Sequence, residues 1–306
     1  MKKTTMKDIA KLANVSVATV SYVLNNVANQ TIPHQTRSLI LNIAKELNYV
    51  PNLAARSLIK QKSGLVGILM NKQSMQPFWK QFSQQAFLNE LEKLLTHAGY
   101  HTLIVSIDVS NPSLDIIRER KLDAVFLIDI SDSIFYNISS QFVEGIPLIL
   151  IDSLVNDNLF NQIVFDYEAA ISEAAKHMNS DAYLVMESFC NQALLQDIQQ
   201  KSGLPLERIF VAESIEALNH FIDNTSCKNI IVINEFLGNY LDHAQKFDQI
   251  IVICTCQCPE LLSPALEKVS FENNKSLLAF ELMEKLITTV DYTPFSENTF
   301  VIKVSN

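Results

Sequence analysis

Apolar residues in the first fifty positions recur at helical spacing, whereas those after position 62 fall in short, nearly continuous runs. Met6, Ile9, Ala10 and Ala13 share one helical face, and Asn14-Val15-Ser16 breaks the pattern with turn and cap formers. Thr5, with Asp8 three residues on, reads as the N-cap of this first helix. Ser16 reads as the cap of a second helix. There Val20, Val23 and Leu24 form the inward stripe and Val17, Ala18, Ser21 and Tyr22 lie largely opposite. A third helix is expected from about His34 to Asn48, with Leu39, Ile40, Ile43, Ala44 and Leu47 inward. Two short helices joined by a tight turn and closed by a third make a helix-turn-helix head, whose second helix can enter a major groove. Pro51 then opens a short Ala-, Arg- and Leu-containing stretch, a helix of marginal independent stability.

After Lys62 the pattern changes. β-Branched apolar runs at Leu65 to Met70, Thr102 to Ile107, Ala124 to Ile130 and Leu148 to Ile151 alternate with helical segments. A second series follows at Ile163 to Phe165, Tyr183 to Met186, Ile209 to Val211, Ile230 to Ile233, Ile250 to Ile253 and Phe300 to Val304. Uniformly apolar strands separated by helices imply parallel sheets covered on both faces, with ligands at the strands' carboxyl ends. The fold class is therefore α/β: a three-helix head and hinge helix, then two Rossmann-like lobes. The expected domains are 1–50 (head), 51–62 (hinge) and 63–306 (core). Within the core, one lobe is expected to hold approximately 63–160 with 272–292 and the other approximately 161–271 with 293–306.

Charge sharpens this picture. The chain carries a net −9, yet residues 1–62 hold nine Lys/Arg against Asp8 and Glu46, a balance of +7 that leaves −16 for the rest. A basic head on an acidic body confines attraction for the phosphate lattice to one module. No run of about 18 apolar residues occurs, and the N-terminus lacks a secretion-type apolar stretch, so a cytoplasmic protein without membrane contact is expected. Five cysteines are an odd number for a disulfide framework. Cys254, Cys256 and Cys258 alternate, which on an extended strand would align three sulfurs as a soft-metal or thiol site. The competing reading is a buried strand end. The six histidines show no metal-ligand spacing, and no Ser-His-Asp or phosphate-loop pattern appears. Neither an enzyme, a cofactor nor a metal site is therefore expected.

Several strings then stand in a telling order: Met6-Lys-Asp-Ile-Ala-Lys-Leu-Ala13, Val15-Ser-Val-Ala-Thr-Val-Ser21, Asn48-Tyr-Val-Pro-Asn52 and Ala55-Arg-Ser-Leu58. Together they resemble the lac-repressor (LacI/GalR) family. The likeness continues through Gly64-Leu-Val-Gly-Ile-Leu-Met70, Pro77-Phe-Trp79, Gly145 to Asp152 and Ser263-Pro-Ala-Leu266, weakening after Asp166. The resemblance implies a periplasmic-binding-protein-type core, a homodimer, and a double-stranded DNA operator as partner. On the head it implies base contacts from Val17, Ala18 and Tyr22, with Thr19 and Ala55 in the same surface. Phosphate contacts from Thr5, Ser16, Asn25, Tyr49 and Asn52 and a minor-groove wedge from Leu58 follow from the same likeness. On the core it implies a small effector near Phe78, Trp79, Asp152 and Asp166.

Departures gather where that effector should sit. The family's usual arginine is missing from Asn191 to Asp197, and the strand that usually ends in an acid reads Val252-Ile-Cys-Thr-Cys-Gln-Cys258. The motif starting at Asp166 reads Asp-Tyr-Glu-Ala-Ala170. A DNA-binding repressor is the leading expectation. The alternative is a ligand-, thiol- or protein-sensing module whose head binds DNA only weakly or nonspecifically.

Overall fold

The computed structural model describes residues 4–24, 30–49, 62–72, 76–108, 119–142, 145–178, 181–288 and 298–305. The chain divides at Ser63 into two compact units. The expected hinge, 51–62, lies outside the described residues except for its last position.

The first unit holds α1 (Met6–Ala13), α2 (Val17–Leu24) and α3 (His34–Glu46). Asn14 adopts a left-handed conformation (φ 52°) that closes α1 and turns the chain within three residues, a backbone state Asn tolerates better than most residues. Ile9, Ala10, Ala13, Val20, Val23, Ile40, Ile43 and Ala44 form one buried cluster, with Met6, Leu24, Leu47 and Tyr49 packed on it. Two expectations need correction. Helix α3 ends at Glu46, with Leu47 as its C-cap. Leu39 is 47% exposed, because the inward stripe starts at Ile40 and runs through Ile43, Ala44 and Leu47.

The second unit contains two parallel sheets. The first uses β1 (Leu65–Asn71), β2 (His101–Ile107), β3 (Ala124–Ile128), β4 (Leu148–Ile151), β5 (Asn161–Phe165) and the chain's last strand. The second uses β6 (Tyr183–Glu187), β7 (Ile209–Ala212), β8 (Asn229–Ile233), β9 (Gln249–Ile253) and β10 (Glu267–Val269); β11 is Thr299–Ile302. Their orders are β11-β5-β4-β3-β1-β2 and β10-β9-β8-β6-β7. Setting β11 aside, each is the doubly wound 2-1-3-4-5 arrangement in its own numbering. Helices α4 (Phe78–His97), α5 (Asp132–Ser139), α6 (Tyr167–His177), α7 (Gln192–Lys201), α8 (Ile215–Asn224), α9 (Glu235–His243) and α10 (Lys275–Thr288) connect them. Central strands β3 and β4 are buried along their whole length, as apolar strands with covered faces must be.

The expected lobe boundaries are corrected by the pairing. Asn161–Phe165 lies beside β4 (Ile149 opposite Asn161), and Thr299–Ile302 lies beside β5 (Phe300 opposite Ile163). Both segments therefore complete the first sheet, not the second. The chain enters the second lobe at α6 and leaves it after β10, so that lobe is one continuous segment. Strand β10 was not expected, because Glu-Lys-Val is a short, charged edge strand without an apolar run.

Candidate nucleic-acid interface and inter-lobe site

On the head, the turn at Asn14 presents α2 with its N-terminus free of side-chain bulk. The Ser16 hydroxyl oxygen accepts from the Thr19 backbone N–H at 3.0 Å and lies 2.9 Å from the Thr19 hydroxyl. Ser16 is therefore the N-cap expected from the sequence, and Thr19 is half-buried against it. Val17, at 41% exposure, and Tyr22, at 37%, stand on the solvent face with Ala18. Val20 and Val23 anchor the opposite face.

Thr5 is exposed; its backbone N–H and its hydroxyl both donate to Asp8 Oδ2, at 2.8 and 2.7 Å. Tyr49 is half-buried, packs on the head's core and donates its N–H to the Ala44 carbonyl at 2.8 Å. The structure therefore brings Val17, Ala18 and Tyr22 together on one exposed helical face, with Ser16 at its leading end. Asn25, Asn52, Ala55 and Leu58 lie outside the described residues.

In the core, a doubly wound sheet opens a crevice where strand order reverses, outside the carboxyl ends of the strands flanking the reversal. In the first lobe that point lies between β1 and β3, whose ends bear Asn71 and Asp129. In the second it lies between β6 and β8, whose ends bear Glu187 and Asn234. All four side chains are buried. Asp129 and Asn234 have positive φ, 48° and 99°, as does Asp152 (49°) at the end of β4. Such backbone states cluster at functional sites.

Lys80, in the first turn of α4, fills the space between these ends. Its Nζ lies 3.0 Å from Asp129 Oδ2 and 3.3 Å from Glu187 Oε2, donates to the Ser188 carbonyl at 3.0 Å and sits 4.4 Å from the Phe189 ring centre. Burial alone would pull the ammonium's pKa down; Asp129 and Glu187 outweigh it and hold the pKa well above its ordinary value. Burial likewise pushes the Asp129 carboxyl up, against the pull of Lys80. We take Lys80 as charged, because two carboxylates converge on it. A second ammonium, Lys275 Nζ, lies 2.6 Å from Asp152 Oδ2 and within 5.3 Å of the Phe87 and Phe165 ring centres.

Further bonds join the lobes directly. Asp129 Oδ1 accepts from the backbone N–H groups of Cys190 and Asn191, at 2.8 and 3.3 Å. Asn191 Nδ2 donates to the carbonyls of Ile130 and Leu154 at 3.0 and 3.2 Å. Within the second lobe, Asn234 Nδ2 donates to Glu187 Oε1 at 3.1 Å and so orients that carboxylate. The cavity that remains among Lys80, Asp129, Asp152, Glu187, Thr255 and Lys275 measures about 20 Å³. That is room for about one water molecule, against the several hundred Å³ typical of a small-molecule pocket. A wider opening of about 410 Å³ lies beside it, lined by Ser83, Glu90, Cys256, Cys258 and Asn274 among others.

The four residues expected to meet an effector fall in different places. Asp152 lines the small cavity. Asp166 caps α6, accepting from the Ala169 N–H at 3.0 Å. Trp79 is fully buried and packs, with Phe78 at its side, in the second lobe's core. Phe78 faces Tyr240 at 5.7 Å between ring centres and Phe82 faces Phe236 at 5.3 Å, so the start of α4 is an aromatic clasp between lobes. Sequence reasoning missed Lys80, Asp129, Glu187 and Asn234. For Asp129, Glu187 and Asn234 the available signal was the polar residue that ends an apolar strand run; Lys80 had none.

Of the two readings of the cysteines, the buried strand end describes Cys254 and the aligned row of sulfurs does not form. Strand β9 stops at Ile253, Cys254 turns into the core, and Cys256 and Cys258 sit in a turn around Gln257 (φ 58°). Glu235 holds that turn, accepting from the N–H groups of Cys256 and Cys258 at 2.8 and 3.0 Å. Among the described residues no group of three or more His, Cys, Asp or Glu side chains is placed to hold a metal ion.

A helix-turn-helix head ahead of a bilobed, doubly wound core defines a class of DNA-binding regulators, and comparison with known proteins places the chain within it. Residues 5–52 match the family described as bacterial regulatory proteins, lacI family. The ribose operon repressor of Halalkalibacterium halodurans is 27% identical over 254 residues, covering 81% of this chain and 68% of that protein. The probable transcriptional repressor ExuR of Bacillus subtilis is 31% identical over 179 residues, 56% of this chain and 50% of its own length. Among solved structures, the lac repressor dimer bound to operator and an anti-inducer has the same fold, with a TM-score of 0.70 at 14% identity, over 99% of this chain and 97% of that one. Residues 5–52 thus carry a lacI-family head, and the remainder of the chain is similar to repressors of that family.

Proposed function

We infer that this protein is a sequence-specific DNA-binding transcription regulator, a homodimeric repressor that engages a near-palindromic operator through two heads. The observation that carries this reading is the exposed face of α2, where Val17, Ala18 and Tyr22 stand clear of a head that has its own buried core. Val and Ala can pack on thymine methyl groups, and the Tyr22 hydroxyl can donate to a base edge. Ser16 and Thr5, beside helix N-termini, suit phosphate contact, which positions the head without selecting sequence. Two-fold symmetry of the dimer would be mirrored in two half-sites. The repressor names of the relatives and the basic charge of residues 1–62 support the same reading.

In this reading the protein acts in the cytoplasm and has no catalytic role. No helix among the described residues is long and apolar enough to cross a membrane. Selection from random duplex DNA by the full-length protein at physiological salt tests the proposal. An enriched palindromic motif, bound about 10³-fold or more above nonspecific DNA, is expected. Binding that shows only the steep salt dependence of phosphate contact, with no enriched motif, would sink it.

A further inference from the structure

We propose that the inter-lobe site is a cation site occupied by the chain's own Lys80 ammonium, so that the lobes are held together by an internal ligand and any effector acting there is an alkylammonium that competes for the same place. The inference concerns the core alone, and its test does not involve DNA.

The two switch points, one from each lobe, converge on a single small volume, which is where a doubly wound protein binds its ligand. What lines that volume is acidic and aromatic. Asp129, Asp152 and Glu187 supply carboxylates, while Phe87, Phe165, Tyr167 and Phe189 supply rings. Carboxylates beside aromatic faces recognise a charged amine, because both offer negative potential to a desolvated cation.

The same lining is a poor match for a neutral sugar. Of the polar groups at the switch points, Asn234 is committed to Glu187 and to the N–H groups of Phe236 and Leu237. Asp129 is committed to Lys80 and to the second lobe's backbone. About 20 Å³ is left.

Lys80 meets each requirement of a ligand for this site. It contacts both lobes: Asp129 from the first, Glu187 and the Ser188 carbonyl from the second. Its ammonium is buried with the carboxylates, and it rests on an aromatic face of the second lobe. Because the groups it joins belong to different lobes, removing it strips the site of its central charge and leaves two buried carboxylates facing one another. The Lys275–Asp152 pair supplies a second, neighbouring neutralisation.

The test is chemical rescue in the full-length protein. Lys80→Ala deletes three methylene groups and an ammonium, the heavy atoms of propylammonium. By the cost of breaking a buried pair, the melting temperature should fall by about 10 °C. Propylammonium chloride should then restore most of that loss with a saturating dose curve, while equal concentrations of sodium chloride or of propanol should not. Ribose and sucrose should produce no saturable shift in the unaltered protein.

A variant that melts like the parent, rescue by sodium chloride as good as by propylammonium, or a saturable stabilisation of the parent by either sugar would each overturn the proposal. If Lys80→Ala does not fold, Lys80→Met combined with Asp129→Asn and Glu187→Gln removes all three charges together. That variant is expected to fold and to gain nothing from propylammonium. Failure to fold, or stabilisation by the amine, would contradict charge pairing as the basis of the site.

Discussion

Asn191 makes four hydrogen bonds from a fully buried position: two from its amide nitrogen to the Ile130 and Leu154 carbonyls, and two accepted by its oxygen from Leu154 and Leu194. It thereby caps α7 and ties the lobes in one side chain. Asn191→Ala leaves these partners without their mate in a dry interior. It should cost about 3 kcal/mol, read as a lowered midpoint in urea at unchanged slope; a loss below about 0.5 kcal/mol would show that the ties are dispensable.

Cys254 yields a pH dependence. Burial, with Glu235 adding to it, pushes its thiol up to about 12, while an unfolded thiol ionises near about 8.5. The sign follows from proton counting: above the unfolded value the unfolded chain sheds a proton that the folded chain keeps, so stability falls as pH rises between these two values. Denaturant titrations of Cys254→Ser and the parent should differ in slope against pH across that window. Identical slopes would remove Cys254 as a contributor.

At this scale the sequence was legible where a side chain's role is local. Ser16 as a cap and Val17, Ala18 and Tyr22 as outward residues follow from spacing alone. Lys80 was not legible, since what makes it functional is Asp129, 49 positions away, and Glu187, 107 away, brought together only by the two sheets.

Elements were read from the sequence through periodicity, and the runs that succeeded are those with strong patterns. Every apolar run in the core became a strand to within two residues at each end, and among the described residues only Glu267–Val269 was unforeseen. Helix α9 shows why close packing escapes such a reading. A Cβ at Gly238 would meet Val252 of β9 at 2.7 Å and 3.0 Å, so this helix can lie on its sheet only with glycine there. Gly238→Ala should gain intrinsic helix propensity of about 1 kcal/mol yet lose more than that to overpacking, of order 1–3 kcal/mol. Net destabilisation in a urea titration is expected, and a more stable variant would mean that the helix can shift outward freely. On α2, Tyr22→Arg substitutes a fork that can read guanine for a phenol. Selection experiments should return a changed base preference in each half-site, with no change if Tyr22 stands off the DNA.

At the scale of the molecule, the division at Ser63 was legible because the hydrophobic period changes there. The assignment of segments to lobes was not, because an apolar strand run says nothing of which sheet it joins. Among the described residues the head's buried cluster has eight members, and a core of that size gives marginal stability on its own. Calorimetry of the full chain should therefore resolve two transitions, the smaller belonging to the head. Replacing Ile40 with Ala should move the smaller one alone; a single transition that shifts as a whole would show the units to be thermodynamically one.

The route of the chain through the core also bears on its synthesis. The second lobe is one continuous stretch from α6 to β10, whereas the first lobe's sheet receives its last strand, β11, from residues 299–302. On the ribosome, the lobe begun first is thus the lobe finished last, and until residues 299–302 emerge β5 waits as an open sheet edge, a template for unwanted pairing. Released chains that end at residue 290 should already protect 183–269 from protease while β5 remains accessible, which makes the interval before 299–302 emerge the one in which this protein most needs a chaperone.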